Sequence, residues 1–224
     1  MSRVTIIGMG GLGCPIAVAL AEAGVDLRLV DDDLVELSNL QRQVLFGTPD
    51  LGRSKLAVAA ERLAHFGVAI ETRTGRLTSA NADALLEGSD LVIDATDDPA
   101  ARFVVNDWAL DHHIPAVIGG VHRFQGMVLA HAGRGPCLRC LFEEDGPEVE
   151  TCAAGGVLGA MAGLVGHLQA ERALRLLAGE AVAVTGYVTT IDALSGRTRD
   201  VPLPDGCERC LDSLSAAPSL SAAA

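Results

Sequence analysis

The feature that most constrains this chain is GMGGLG at residues 8–13, which follows directly on the apolar run Val4 to Ile7. A strand that enters a tight glycine turn and leaves it as a helix opens a parallel β-α-β unit. The missing side chains let strand and helix pack closely and let backbone N–H groups approach an anion at the helix N-terminus. The pattern continues with a helix over 15–23, closed by Gly24, and a strand over 27–30 that runs into Asp31-Asp32-Asp33. Hydrophobic periodicity then predicts helices over 55–65, 81–86 and 101–112, interleaved with strands over 69–72, 91–94, 116–118 and 127–130. A long helix over 156–177 and strands over 187–192 and 198–201 complete the reading. Such alternation predicts an α/β fold, a Rossmann-like, doubly wound, mostly parallel sheet covered on both faces. Functional groups then collect at the carboxyl ends of the strands, at 8–13, 31–43 and 94–98.

With 224 residues and 49% hydrophobic content, one core is expected over residues 1–210. The closing stretch 211–224, LDSLSAAPSLSAAA, is small and polar and is expected to be disordered. The net charge of -12 opposes general affinity for nucleic acid or anionic membranes, so any anion site must be local. No basic segment leads into an apolar stretch and a cleavage site, which makes a cytoplasmic protein the expectation. The uncharged run 153–166 is too short to span a bilayer and continues into His167, Gln169, Glu171 and Arg172, as a buried helix does. Among 17 Lys and Arg residues only Lys55 is a lysine, either a solvated surface group or a place where a compact ammonium is needed.

Gly8, Gly10 and Gly13, with Asp31 at the end of the next strand, satisfy the dinucleotide fingerprint, the acid being suited to ribose hydroxyls, and Gly11 in the same turn is a further candidate for binding the nucleotide. Alone, this pattern favours a nicotinamide or flavin enzyme. Asn39, Arg42, Gln43 and Lys55 shift the balance. A bridging pyrophosphate is satisfied by amides and a helix dipole, whereas a triphosphate to be attacked by another anion needs side-chain cations, which Arg42 and Lys55 supply. Asp97 is a candidate for Mg²⁺, with Asp94 and Asp98 as rivals. Cys137, Cys140, Cys207 and Cys210 form two C-x-x-C knuckles that match a closed, structural zinc site, expected to tie the C-terminal tail to the loop after the strand over 127–130 and so pin a C-terminal extension of the sheet. Cys14 reads as a small buried thiol. Cys152, at the start of the long helix, reads either as packing or as a nucleophile activated by a helix N-terminus.

GMGGLG, DDDLVELSNLQRQ, GRSK, DATDD, PCLRCLF, TCAAGGVLG and GCERC occur in an order that resembles the ThiF/MoeB/HesA family, prokaryotic relatives of ubiquitin-activating enzymes. The likeness covers nearly the whole chain and leans towards the thiamine-thiazole (ThiF) branch. It implies adenylation of the C-terminal Gly-Gly carboxylate of a ubiquitin-like sulfur carrier, with ATP and Mg²⁺, releasing pyrophosphate. It also implies that Asp31 binds ribose, that Asn39, Arg42 and Lys55 contact phosphates with Gln43 beside them, and that Asp97 holds magnesium. Cys152 matches a cysteine that takes part in sulfur transfer in some members, and the residues before it resemble a loop that covers the carrier's tail. The four knuckle cysteines match zinc ligands, and a homodimer is implied.

Two departures stand out. Members usually begin with a helical segment whose arginine reaches the neighbouring subunit's nucleotide; here the expectation is that this contribution is dispensable, that Arg3 or another group substitutes, or that activity is weaker. The asparagine that commonly follows the magnesium aspartate is Asp98. With no rhodanese-like domain following, sulfur is expected from a separate donor protein. Two competing readings are a nicotinamide-dependent oxidoreductase and a catalytically silent carrier-binding partner.

Overall fold

A computed structural model describes residues 2–142 and 156–210. Strands β1 (Arg3–Ile7), β2 (Asp26–Asp31), β3 (Ile70–Thr74), β4 (Leu91–Asp94) and β5 (Ala116–His122) are parallel, in the order β3-β2-β1-β4-β5. Strands β6 (Gln125–His131), β7 (Tyr187–Asp192) and β8 (Arg197–Pro202) extend the same sheet antiparallel beyond β5. The doubly wound sheet expected from the sequence is thus present, with an antiparallel extension formed by its later part.

Consecutive apolar residues along the central strands are explained by burial on both faces. Ile6, Leu29 and Ile93 join one core with helices α1 (Gly13–Glu22) and α2 (Lys55–Leu63). Their neighbours Ile7, Val30 and Val92 join another with α3 (Ala82–Leu86) and α4 (Pro99–Asp111). The long helix α5 (Gly159–Leu177) lies with α1, where Met161, Ala162 and Val165 pack on Val117 and Val128. A short helix α6 (Ala181–Val184) leads into β7.

Several boundaries shift by one to four residues from the sequence reading, and two of the shifts have identifiable reasons. Strand β5 runs four residues past 118, because Gly119 and Gly120, poor strand formers, are held by pairing with Val128 and Met127 across the hairpin. Helix α4 starts at Pro99, since Asp98 caps it by accepting the Ala100 N–H at 3.0 Å and proline suits the first turn. No helix among the described residues is long and apolar enough to cross a membrane. Cys152, the segment before it and the stretch 211–224 lie outside the described residues.

Candidate active site

The glycine turn is pressed between β1 and the end of β4. A Cβ on Gly8, which has φ +93°, would lie 2.9 Å from the Ala95 carbonyl oxygen, and one on Gly13 would lie 1.9 Å from the Gly8 oxygen. Only glycine permits this approach. No side chain caps α1; the Cys14 N–H donates to the Gly10 carbonyl at 3.1 Å and Pro15 has none, while the N–H groups of Gly11, Leu12 and Gly13 make no hydrogen bond among the described residues and remain available to an anion. The result is a cleft of ≈ 1920 Å³ bordered by Gly8, Gly10, Gly11, Asp31, Asn39, Arg42, Gln43, Lys55 and Asp97. Gly13 is buried beneath it.

Asp31 ends β2 with both carboxylate oxygens accepting backbone N–H groups, from Met9 at 2.6 Å and Asp33 at 2.7 Å. Each oxygen keeps a lone pair for a further donor such as a hydroxyl. Lys55 opens α2 and is 3% exposed, so the surface reading of the single lysine is excluded. Its Nζ lies 2.7 Å from Asp33 Oδ2 and 3.9 Å from Asp31 Oδ1. Those two carboxylates hold the ammonium at the edge of the glycine turn.

Arg42 donates through Nη2 to Asn39 Oδ1 at 2.8 Å. Asn39 therefore spends its carbonyl on orienting Arg42. A Cβ on Gly11 would come within 3.2 Å of the Arg42 Cγ, so the glycine admits the stem of this side chain. Gln43 is buried, and its Oε1 has no hydrogen-bond partner among the described residues. A buried amide oxygen left in this state calls for a donor.

The turn after β4 separates the three rival acids. Asp94 is wholly buried: Oδ1 accepts from the Thr96 N–H and hydroxyl, and Oδ2 accepts from Arg102 Nε at 2.9 Å. Burial pushes its carboxyl upward against the pull of Arg102 and Thr96. Asp98 caps α4 and accepts from Arg76 Nη2 at 2.8 Å. Burial raises its carboxyl, but the Arg76 hydrogen bond and the capped N–H groups outweigh that and bring it below the ordinary range. Asp97 is exposed and makes no hydrogen bond among the described residues. Of the three, it alone presents an open carboxylate to the cleft.

Arg76, Arg102 and Gln169 escaped the sequence reading. Gln169, in α5, donates from Nε2 to the Asp94 carbonyl at 2.7 Å and so braces the end of β4 from the far side of the sheet. Its partner is 75 residues away in the chain, a separation that leaves no local signal.

The knuckle cysteines meet as predicted. Their four sulfurs lie within 4.8 Å of one another, with Cys137–Cys207 and Cys207–Cys210 at 3.7 Å and Cys140–Cys210 at 3.6 Å. Sulfur–sulfur edges of a tetrahedron with Zn–S of 2.3 Å are about 3.8 Å, so the donor set fits structural zinc. The cluster ties residues after β8 to the turn Leu138–Cys140. Cys14 is fully buried and its thiol is pushed up to about 12 by that burial, with a Leu45 backbone hydrogen bond and Lys55 opposing. It is a packing thiol.

Comparison with known proteins places this arrangement. The sequence pattern of the ThiF family matches residues 1–211. The chain is 41% identical over 207 residues to the SAMP-activating enzyme E1 of Haloferax volcanii, covering 90% of this chain and 76% of that protein. It is 42% identical over 219 residues to the adenylyltransferase and sulfurtransferase MOCS3 of Sus scrofa, covering 93% of this chain and 48%, about half, of the relative. The crystal structure of Escherichia coli MccB with ATP matches in fold with a TM-score of 0.81 at 19% identity, over 93% of this chain and 67% of that one.

Proposed function

Because the chain belongs to the ThiF family, we propose that it adenylates the C-terminal Gly-Gly carboxylate of a small ubiquitin-like sulfur carrier, using ATP with Mg²⁺ and releasing pyrophosphate. The observation that carries this reading is Lys55 and Arg42 bordering the cleft that Asp97 also borders, with no hydrogen bond or ion pair of its own among the described residues, in a molecule of net charge -12. A carboxylate oxygen forms a bond to the α-phosphorus, the bond from that phosphorus to the bridging oxygen breaks, and its electron pair leaves with pyrophosphate. No proton moves, so the site needs no general base. It must instead neutralise two anions and align them in line.

In this reading Asp31 receives ribose hydroxyls, and the turn gives the backbone N–H groups of Gly10, Gly11 and Gly13 to phosphate, while Gly8, whose N–H donates to the Val30 carbonyl at 2.8 Å, shapes the turn. Arg42 and Lys55 pair with phosphate oxygens, Asn39 sets the Arg42 fork, and Gln43 closes the base of the cleft. Asp97 holds Mg²⁺, which screens the leaving phosphates. Zinc on Cys137, Cys140, Cys207 and Cys210 is structural, and Cys152 takes part in passing sulfur to the activated carrier from a separate donor protein. One adenylation domain over 1–210, a homodimer and a cytoplasmic setting complete the proposal. The relatives named for SAMP activation and for adenylyl and sulfur transfer support the substrate class.

Incubation with Mg-ATP and a carrier ending in Gly-Gly should give a carrier heavier by one AMP group in mass spectrometry. An unchanged carrier mass would argue for a silent binding partner, and NAD bound in preference to ATP for an oxidoreductase.

A further inference from the structure

Arg102, Arg197 and Arg199 also border the cleft, and of these three Arg102 alone is not exposed. Arg102, in the first turn of α4, is clamped along one edge of its guanidinium: Nε donates to Asp94 Oδ2 at 2.9 Å and Nη2 to the Thr96 carbonyl at 3.4 Å. Asp94 is 0% exposed and cannot turn away, so it fixes the arginine's position. Nη1 finds no acceptor among the described residues, although the side chain is only 19% exposed and borders the cleft. Beyond it lies Gly120. A Cβ there would come 3.3 Å from Nη1, 3.4 Å from Nη2 and 3.4 Å from Met127 Cγ. The glycine thus leaves room for the end of the guanidinium where the nucleotide part of the cleft meets β5 and β6.

We propose that Arg102 binds the terminal carboxylate of the carrier's tail and holds it for attack. The inference rests on the adenylation reading. That reading assigns Arg42 and Lys55 to phosphates, leaving the nucleophile, itself an anion, without a partner. A planar fork with unspent N–H groups matches a carboxylate, which an ammonium on a flexible stem does not. Asp94 has already ordered the side chain, so little rotamer freedom is lost on binding. Asp94 also offsets part of its charge, so the nucleophile is positioned without being neutralised outright. A tail of two glycines has no side chain to collide with Gly120 or Met127.

The test uses a carrier that supports adenylation by the wild-type protein, prepared by semisynthesis with a free C-terminal carboxylate and with a carboxamide. Affinities are measured without ATP. Wild type should prefer the carboxylate by about tenfold or more, as a charge-assisted pair does. Arg102→Gln should bind both forms equally and raise the KM for carrier while leaving that for ATP within about twofold; Arg102→Lys should recover only part of the preference. A carboxylate preference that survives in folded Arg102→Gln overturns the inference. If Arg102→Gln does not fold, Gly120→Ala decides, since it crowds the fork but leaves the Asp94 pair intact: the preference should fall several-fold, and an unchanged preference overturns the inference. Failure of the adenylation reading is distinct, because no carrier would then be adenylated by wild type.

Discussion

Arg76 Nη2 and Asp98 Oδ2 lie 2.8 Å apart, and this pair leaves Asp97 as the open acid of the turn after β4. The charge that Asp98 brings in place of an asparagine is answered locally, by Arg76 and by the N–H groups at the start of α4.

Asp98→Asn should therefore leave the Mg²⁺ concentration for half-maximal activity unchanged. Stability should shift by under about 1 kcal/mol, because asparagine still caps the helix and an exposed ion pair contributes little. Asp97→Asn should raise the Mg²⁺ requirement about tenfold or more, as loss of a charged ligand does. A magnesium titration of both variants checks this, and equal curves would remove Asp97 from the metal site.

Burial of Lys55 against Asp31 and Asp33 gives it a structural role as well as its proposed chemical one. Lys55→Ala should cost about 1–3 kcal/mol by leaving the buried Asp31 carboxylate without its cation. Arg42 is half-buried and paired with Asn39 alone among the described residues, so Arg42→Ala should cost under about 1 kcal/mol. Chemical denaturation separates them; equal losses would contradict the burial argument.

Zinc removal should loosen the end of the sheet. Chelation, or Cys207→Ser, should abolish bound zinc in elemental analysis. Even a loss of ~3 kcal/mol would lower Tm by roughly 6–12 °C. A melting temperature unmoved by chelation would show that the four sulfurs carry no metal of consequence.

His131, at the end of β6, is fully buried, with Nδ1 accepting from the Gly133 N–H at 3.2 Å and Nε2 without a hydrogen-bond partner among the described residues. Burial lowers its pKa to about 4, with Asp107 opposing. The unfolded chain, with histidine near 6.5, binds the proton first, so stability is complete above pH 6.5 and declines as pH falls towards 4. The decline should reach about 3 kcal/mol. His131→Phe should remove that part of the pH dependence, while acid loss of zinc remains in both proteins. Denaturation curves at pH 7 and pH 5 compare them; parallel declines would contradict the prediction.

Residues that announce a site locally were legible: the glycine turn, Asp31 at a strand end, the SNLQRQ run and the paired knuckles each lie within one short stretch. The convergence of the first three on one cleft followed from strand order, because parallel strands place their carboxyl ends together, while the knuckles meet apart from it. Arg102 and Gln169 were not legible, since each is placed by its contact with Asp94, across a turn in one case and across the sheet in the other. The extent of β5 was hidden because Gly119 and Gly120 are strand residues by tertiary contact. Gly119 leaves room for Gln169, whose Oε1 would lie 2.2 Å from a Cβ at that position.

Carrier-dependent exchange of labelled pyrophosphate into ATP tests the central claim most directly. Label should enter ATP only when a carrier ending in Gly-Gly is present, and Arg42→Ala should reduce the rate about a hundredfold or more. Folded, zinc-loaded protein that binds both ATP and carrier yet exchanges no label would contradict it.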